Sequence, residues 1–65
     1  MEKYEVGLYE KDTTEGVEIR RIFDDYNEAV QFAKKVRSNP EFDNMLILLD
    51  RIDENGNLLY ITDEF

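Results

Sequence analysis

The chain contains neither cysteine nor histidine, and these two absences exclude much of protein chemistry. Without cysteine no disulfide can stabilise the fold, and without either residue the usual ligands of a zinc site are missing. Histidine is also the commonest general base, and cysteine is the strongest side-chain nucleophile. Ser38 is the one serine, and there is no histidine to activate it. We therefore expect no enzymatic activity, no bound metal and no cofactor.

Glycine is scarce too, and its three isolated copies exclude a glycine-rich phosphate-binding loop. One of them, Gly56, lies in the segment 53–57, which partly resembles a calcium-binding loop. Aligning Gly56 with the invariant glycine of such loops puts Arg51 at the first ligand position and Thr62 where the bidentate glutamate belongs. Both residues are wrong for calcium, so we interpret the segment as a hairpin turn.

Long apolar runs are also lacking. No run approaches the roughly 18 apolar residues of a membrane span, and residues 1–5 lack the basic and then apolar layout of a signal peptide. We expect a soluble cytoplasmic protein without membrane contact. Its 65 residues have room for a single domain, residues 1–65, which needs tight packing or self-association to be stable.

Basic residues are few, eight against sixteen acidic ones, and the net charge is −8. A surface this acidic repels phosphates, so we expect no direct nucleic-acid binding, and it attracts basic partners. Residues 39–65 hold seven acids and one base. Carboxylates at alternate strand positions lie about 6.6 Å apart and can imitate a row of phosphates. The acidic surface that we expect comprises Asp50, Asp53, Glu54, Asp63 and Glu64.

The first part of the chain predicts a hairpin. Residues 3–10 alternate apolar and polar side chains, residues 11–16 form a polar loop, and residues 17–23 return. Pairing Leu8 with Ile19 places Tyr4 opposite Phe23 and Lys3 opposite Asp24. This register puts Arg21 on the apolar face with Val17, Ile19 and Phe23. A bulge near residues 20–21 would instead swing Ile22 inward, and the sequence leaves both possibilities open.

Residues 25–38 predict the one helix. Asp25 and Glu28 have the spacing of a capping box, and Pro40 ends the helix by Ser38. Asn39 is placed to cap a further short turn, with Phe42 packed over the edge of the core. Acids lie near the helix start and bases near its end, which complements the helix dipole. The apolar stripe consists of Tyr26, Ala29, Val30, Ala33 and Val36, with Phe32 beside it.

The last part of the chain predicts a second hairpin, with strands 45–53 and 58–62. Asn55-Gly56 admits a two-residue type I′ turn or a three-residue loop with Gly56 left-handed. The three-residue loop pairs Leu49 with Ile61. Either turn leaves apolar side chains on both faces of these strands, which is the central feature of the sequence. The fold class is therefore α+β: a two-layer ββαββ arrangement with a four-stranded antiparallel sheet of order 2-1-3-4 and one helix on one face.

One helix covers one face of a sheet, so the other face is left open. Contiguous apolar patches on a soluble protein usually mark interaction sites. We expect the open face to bind a second copy of the chain or a different protein. The alternative is that the termini, including Phe65, fold over it. The predicted interface residues are Tyr9, Ile22, Leu46, Leu48, Ile52, Leu58 and Tyr60.

The functional hypothesis is a small, acidic, non-enzymatic protein-interaction module that homodimerises or binds, and thereby inhibits, a protein partner. One alternative is an acidic nucleic-acid mimic that blocks a basic nucleic-acid-binding protein. Another is an accessory homodimer with no regulatory target. In size, acidity and lack of catalytic side chains the chain resembles many small phage or mobile-element proteins that bind host factors. This likeness is one of type and assigns no role to any residue.

Overall fold

The fold is a four-stranded antiparallel sheet with one helix on one face, as the sequence predicts. A computed structural model describes residues 2–10 and 17–65. The predicted loop 11–16 lies outside the described residues. The elements are β1 (Lys3–Glu10), β2 (Val17–Phe23), α1 (Tyr26–Arg37), a 3₁₀ turn (Pro40–Phe42), β3 (Met45–Ile52) and β4 (Leu58–Thr62). The spatial order β2-β1-β3-β4 places β2 and β4 at the edges.

The register between β1 and β2 decides which way Arg21 and Ile22 face. Tyr4 pairs with Phe23 and Leu8 with Ile19, as predicted. The bulge lies nearer the loop. Leu8 pairs with Ile19 and the next residue, Tyr9, pairs with Val17, so β2 has one extra residue at this point. The possibility of a bulge at residues 20–21 is therefore wrong. Arg21 faces the helix, with its guanidinium carbon 5.6 Å from the centre of the Phe32 ring.

A small core lies between the sheet and α1. Val6 and Leu8 from β1 and Ile47 and Leu49 from β3 are fully buried, because alternate residues of each strand point at the helix. The helix contributes small side chains, which let it approach the sheet closely. The buried cluster comprises Val6, Leu8, Ala29, Ala33, Val36, Met45, Ile47 and Leu49, and Phe42 and Phe65 are among the half-buried residues packed against it.

The helix begins and ends where the sequence predicts. The Asp25 carboxylate accepts the Glu28 backbone N–H at 3.1 Å, and Ser38 is the C-cap. Asn39 caps the 3₁₀ turn by accepting the Glu41 N–H at 3.0 Å. Arg37 does more than complement the helix dipole, since its Nη2 donates to the Met45 carbonyl oxygen at 2.7 Å. This bond joins the end of the helix to the first residue of β3.

The hairpin between β3 and β4 has the three-residue loop. Gly56 is left-handed, with φ of 83°, and the Asp53 N–H donates to the Asn57 carbonyl oxygen at 3.0 Å. Beyond Asp50 the prediction is wrong by one residue, because a bulge pairs Leu49 with Thr62 and not with Ile61. Ile61 consequently leaves the regular alternation of the strand.

Candidate protein-interaction surface

The sheet face that points away from α1, here called the outer face, carries all seven predicted interface residues. On β1 and β3, Tyr9 pairs with Leu46, and Leu48 and Ile52 lie on the same side. Ile22 extends this face onto β2 at one edge. Leu58 and Tyr60 extend it onto β4 at the other edge. We call these seven residues the outer patch.

The two central strands partly cover their own share of the outer patch. Tyr9 lies over Gly7: a Cβ added to Gly7 would be 3.1 Å from the Tyr9 ring. Glycine thus makes room for the ring to lie along the sheet. Tyr9, Leu46, Leu48 and Ile52 are half-buried, whereas Ile22, Leu58 and Tyr60 are exposed. The most accessible apolar side chains therefore lie on the edge strands.

A polar cluster, here called the polar centre, interrupts the patch. It consists of Glu5, Asp50 and Arg20, with Glu5 and Asp50 directly opposite each other on β1 and β3. Glu5 is only 5% exposed although it lies on an uncovered face. Its carboxylate forms an ion pair with the guanidinium of Arg20, and the Arg20 side chain is about half exposed. The ion pair gives the buried acid a compensating charge.

Sequence patterning predicts the position of Glu5 in the polar centre but not its burial. The alternation of β1 places Glu5 on the outer face, but its neighbours there come from other strands: Ile22 and Asp50 lie opposite it, and Arg20 is its ion-pair partner. Only the three-stranded register brings these together. The available signal of a partner for Glu5 was Arg20. It lies two residues before Ile22 and therefore on the same face of β2.

Asp50 has no ion pair within 4.0 Å in the part of the chain that the structure describes, where the ion pairs are Lys3–Asp24, Arg20–Glu5 and Arg51–Glu2. Partial burial raises the pKa of the Asp50 carboxyl above its usual value, and the Arg20 charge opposes this shift. The outer face therefore holds one carboxylate that is partly desolvated and not neutralised by a direct partner.

The five residues of the predicted acidic surface do not form one row. Asp50 lies on the outer face, Asp53 and Glu54 belong to the hairpin end, and Asp63 and Glu64 follow β4. The Asp53 carboxylate accepts the N–H groups of Asn55 and Asn57 at 2.8 and 2.9 Å. These bonds lower the pKa of Asp53, with the Asn57 bond contributing most. Asp53 thus has a structural role in the turn.

Asp63 also has a local partner. The Tyr60 hydroxyl donates to Asp63 Oδ1 at 3.0 Å, and this bond is the main cause of the raised pKa of the Tyr60 phenol. The bond holds the exposed aromatic ring beside an acid at the edge of the sheet. Tyrosine is enriched at protein interfaces, where its ring supplies apolar contact area and its hydroxyl bonds to a polar partner.

A shallow cavity of about 360 Å³ lies beside the hairpin end. Its lining is polar, and its one base, Arg51, pairs with Glu2 at 2.7 Å. No group of three histidine, cysteine, aspartate or glutamate side chains is arranged to hold a metal within residues 2–10 and 17–65. The cavity is lined by Glu2, Arg51, Asp53, Glu54 and Asn55.

Phe65 does not lie over the outer patch. It packs against the buried cluster between sheet and helix. Within the described ranges, no helix is long and apolar enough to cross a membrane. Comparison with protein-family models, curated proteins and solved structures finds no match to this chain.

Proposed function

We propose that this chain is a non-enzymatic protein-interaction module that binds a basic protein partner through the outer patch. The observation that carries the proposal is the set of seven apolar and aromatic side chains on a single sheet face, opposite the face that α1 covers. The Cα positions span only 16 Å in the thinnest direction, which fits one sheet and one helix. A further layer packed about 10 Å above the sheet would cover the outer patch.

Charge favours a basic partner over a second copy. The chain carries a net charge of −8, so two copies repel each other, whereas a basic protein is attracted. Asp50 strengthens this argument, because its partly desolvated carboxylate lies in the middle of the patch. A lysine or arginine from the partner would supply the neutralising charge there. A homodimer built on this face would instead bring two such carboxylates together.

The nucleic-acid mimic remains an alternative without a specific observation in its favour. Mimicry needs carboxylates in a row at phosphate-like spacing, whereas the acids of this chain are divided between the hairpin end, the outer face and the segment after β4. Asp53 and Asp63 are engaged in local hydrogen bonds. The acids therefore act as the electrostatic complement of the apolar patch.

Site-specific photo-crosslinking in extract of the source organism tests the proposal. A photoreactive amino acid at position 22 lies on the outer face, and the same group at position 31 lies on the exposed side of α1. We expect a crosslink to a basic protein from position 22 and none from position 31. Crosslinks between two copies, or equal yields from both positions, would contradict the proposal.

Leu48→Glu is the matched loss-of-binding variant, and Gln31→Glu is its control with the same change in charge. Leu48 is half-buried on the outer face and Gln31 is exposed on the helix. We expect Leu48→Glu to remain folded and to lose the crosslink from position 22, and Gln31→Glu to keep it. If Leu48→Glu unfolds the chain, the outer face is core and the proposal fails. Sedimentation over a range of concentrations should show the wild-type chain as a monomer.

A further inference from the structure

The edge strand β4 exposes apolar side chains on both of its faces. Exposed fractions are 48% for Leu58, 40% for Leu59, 61% for Tyr60 and 37% for Ile61. Of the seven large apolar residues that are exposed in the described ranges, these four belong to one strand of five residues. A layer stacked on the outer face would cover Leu58 and Tyr60. It would leave Leu59, which lies on the helix side opposite Arg51, uncovered.

The position of the helix explains the exposure on the second face. α1 packs against β1, β2 and β3, so β4 projects beyond it. Both faces of β4 and its free edge are thus open at the same place. A strand added alongside β4 would contact side chains on both faces at once, which a helix or sheet docked on one face cannot do.

The backbone of β4 presents hydrogen-bonding groups to the free edge at alternate residues. The bond from the Asp53 N–H to the Asn57 carbonyl oxygen makes that pair a hydrogen-bonded one. Along an antiparallel ladder such pairs alternate with pairs whose N–H and C=O groups point away. Leu59 therefore faces β3, and Leu58 and Tyr60 direct their N–H and C=O groups to the free edge.

The two edges of the sheet differ in charge. β2, with sequence VEIRRIF, contains three charged residues, whereas β4, with sequence LLYIT, contains none. Natural sheets usually protect their edges with charges, proline, bulges or a covering element. The bulge of β4 lies at its far end and leaves the pairing of Leu58, Leu59 and Tyr60 regular. The uncharged edge is the one open to pairing.

We infer that β4 binds an extended segment of a partner protein as a fifth strand, and that this segment is uncharged in the middle and basic at its ends. Acids flank β4 on both sides, Asp53 and Glu54 before it and Asp63 and Glu64 after it. A second copy of β4 would bring acids next to acids in either strand direction. A segment with lysine or arginine at its ends complements both flanks.

A synthetic peptide tests this inference with the full chain. The probe alternates valine and threonine in its middle and carries two lysines at each end, and its control has glutamates in place of the lysines. At a probe concentration of about ten times Kd, amide hydrogen exchange of Leu58 and Tyr60 should slow about tenfold. The control peptide should leave both rates unchanged. Absence of probe binding, or NMR shifts centred on Ile22 and Leu48, would overturn the inference.

Replacing one backbone amide by an ester tests whether the probe pairs with the backbone edge of β4 or only contacts its side chains. The chain is short enough for chemical synthesis, so an ester can replace the amide at Tyr60 or, as the matched control, at Leu59. The Tyr60 ester removes a donor that faces the edge and should weaken probe binding about fivefold. It also makes the Leu59 carbonyl, which faces β3, a weaker ester acceptor, so it should lower stability slightly. The Leu59 ester removes a donor that faces β3 and weakens only one acceptor at the edge, the Leu58 carbonyl. It should therefore lower stability more, and affinity less, than the Tyr60 ester does.

Three further outcomes complete the test. Ile22→Glu, on the outer face but not on β4, should bind the probe as wild type does, which keeps this inference separate from the proposed function. Equal affinity of the Tyr60 ester and the wild-type chain would overturn the added strand. Self-association of the chain that protects the Leu58 and Tyr60 amides without any peptide would also overturn it, because the occupant would then be a second copy.

Discussion

Asp50 is the residue at which stability and the proposed binding oppose each other. It lies opposite Glu5 in the sheet, and burial raises its pKa against the opposing effect of the Arg20 charge. The folded chain therefore holds the Asp50 proton more tightly than the unfolded chain does. Stability from this group is present at low pH and is lost as the pH rises from 3.8 through the raised pKa. At neutral pH the ionised carboxylate opposes folding, and a partner's cation would relieve this cost.

Asp50→Asn should accordingly raise the free energy of unfolding at pH 7, by less than about 1 kcal/mol because the site is partly open to water. The gain should disappear below pH 3.8, where wild-type Asp50 is itself protonated. Urea unfolding at several pH values measures this, with Glu54→Gln as a control that removes one exposed charge from the hairpin. A loss of stability in Asp50→Asn at pH 7 would show that the Arg20 attraction outweighs burial.

At the scale of the elements, the hairpin between β3 and β4 sets the position of the edge strand. Gly56 has a φ of 83°, and a Cβ added there would meet nothing within 4 Å. Its role is therefore conformational and not steric. The Asp53 carboxylate reinforces the turn through its bonds to the N–H groups of Asn55 and Asn57. Together these features fix which residues of β4 face the free edge.

Gly56→Ala should lower the free energy of unfolding by about 1–2 kcal/mol, because an L side chain disfavours the left-handed region. Gly56→Asn should cost less, since asparagine tolerates that region. Chemical denaturation of both variants gives the comparison. Equal losses in the two would indicate a steric cause, contrary to the open space around the glycine.

The elements also show how far the sequence determines the fold. Periodicity, the Asp25 cap and the Asn55-Gly56 turn predict every described strand and the helix, and the crossover rule gives the strand order. The bulge between Leu49 and Asp50 and the side taken by Arg21 are not local properties. Arg21 faces the helix because the β1–β2 register places it opposite Val6, and there its guanidinium lies against the Phe32 ring of α1. The burial of Glu5 likewise depends on contacts between strands, so the sequence predicts the outer face but not this burial.

At the scale of the whole molecule, net charge acts in opposite directions on folding and on binding. A charge of −8 on 65 residues makes the folded chain repel itself, and salt screens this repulsion. The same charge attracts a basic partner, and salt screens that attraction as well. Added salt should therefore raise the stability of the folded chain and lower its affinity for a basic partner.

Raising ionic strength from about 0.01 M to about 0.15 M, which shortens the screening length from about 30 Å to about 8 Å, should raise the Tm of the isolated chain. The same change should weaken binding of the lysine-flanked peptide and of the basic partner. Thermal scans and titrations in the same buffers measure both. Binding that tightens with salt would mean that apolar burial alone governs recognition, and the flanking acids would then only prevent self-association of the exposed edge.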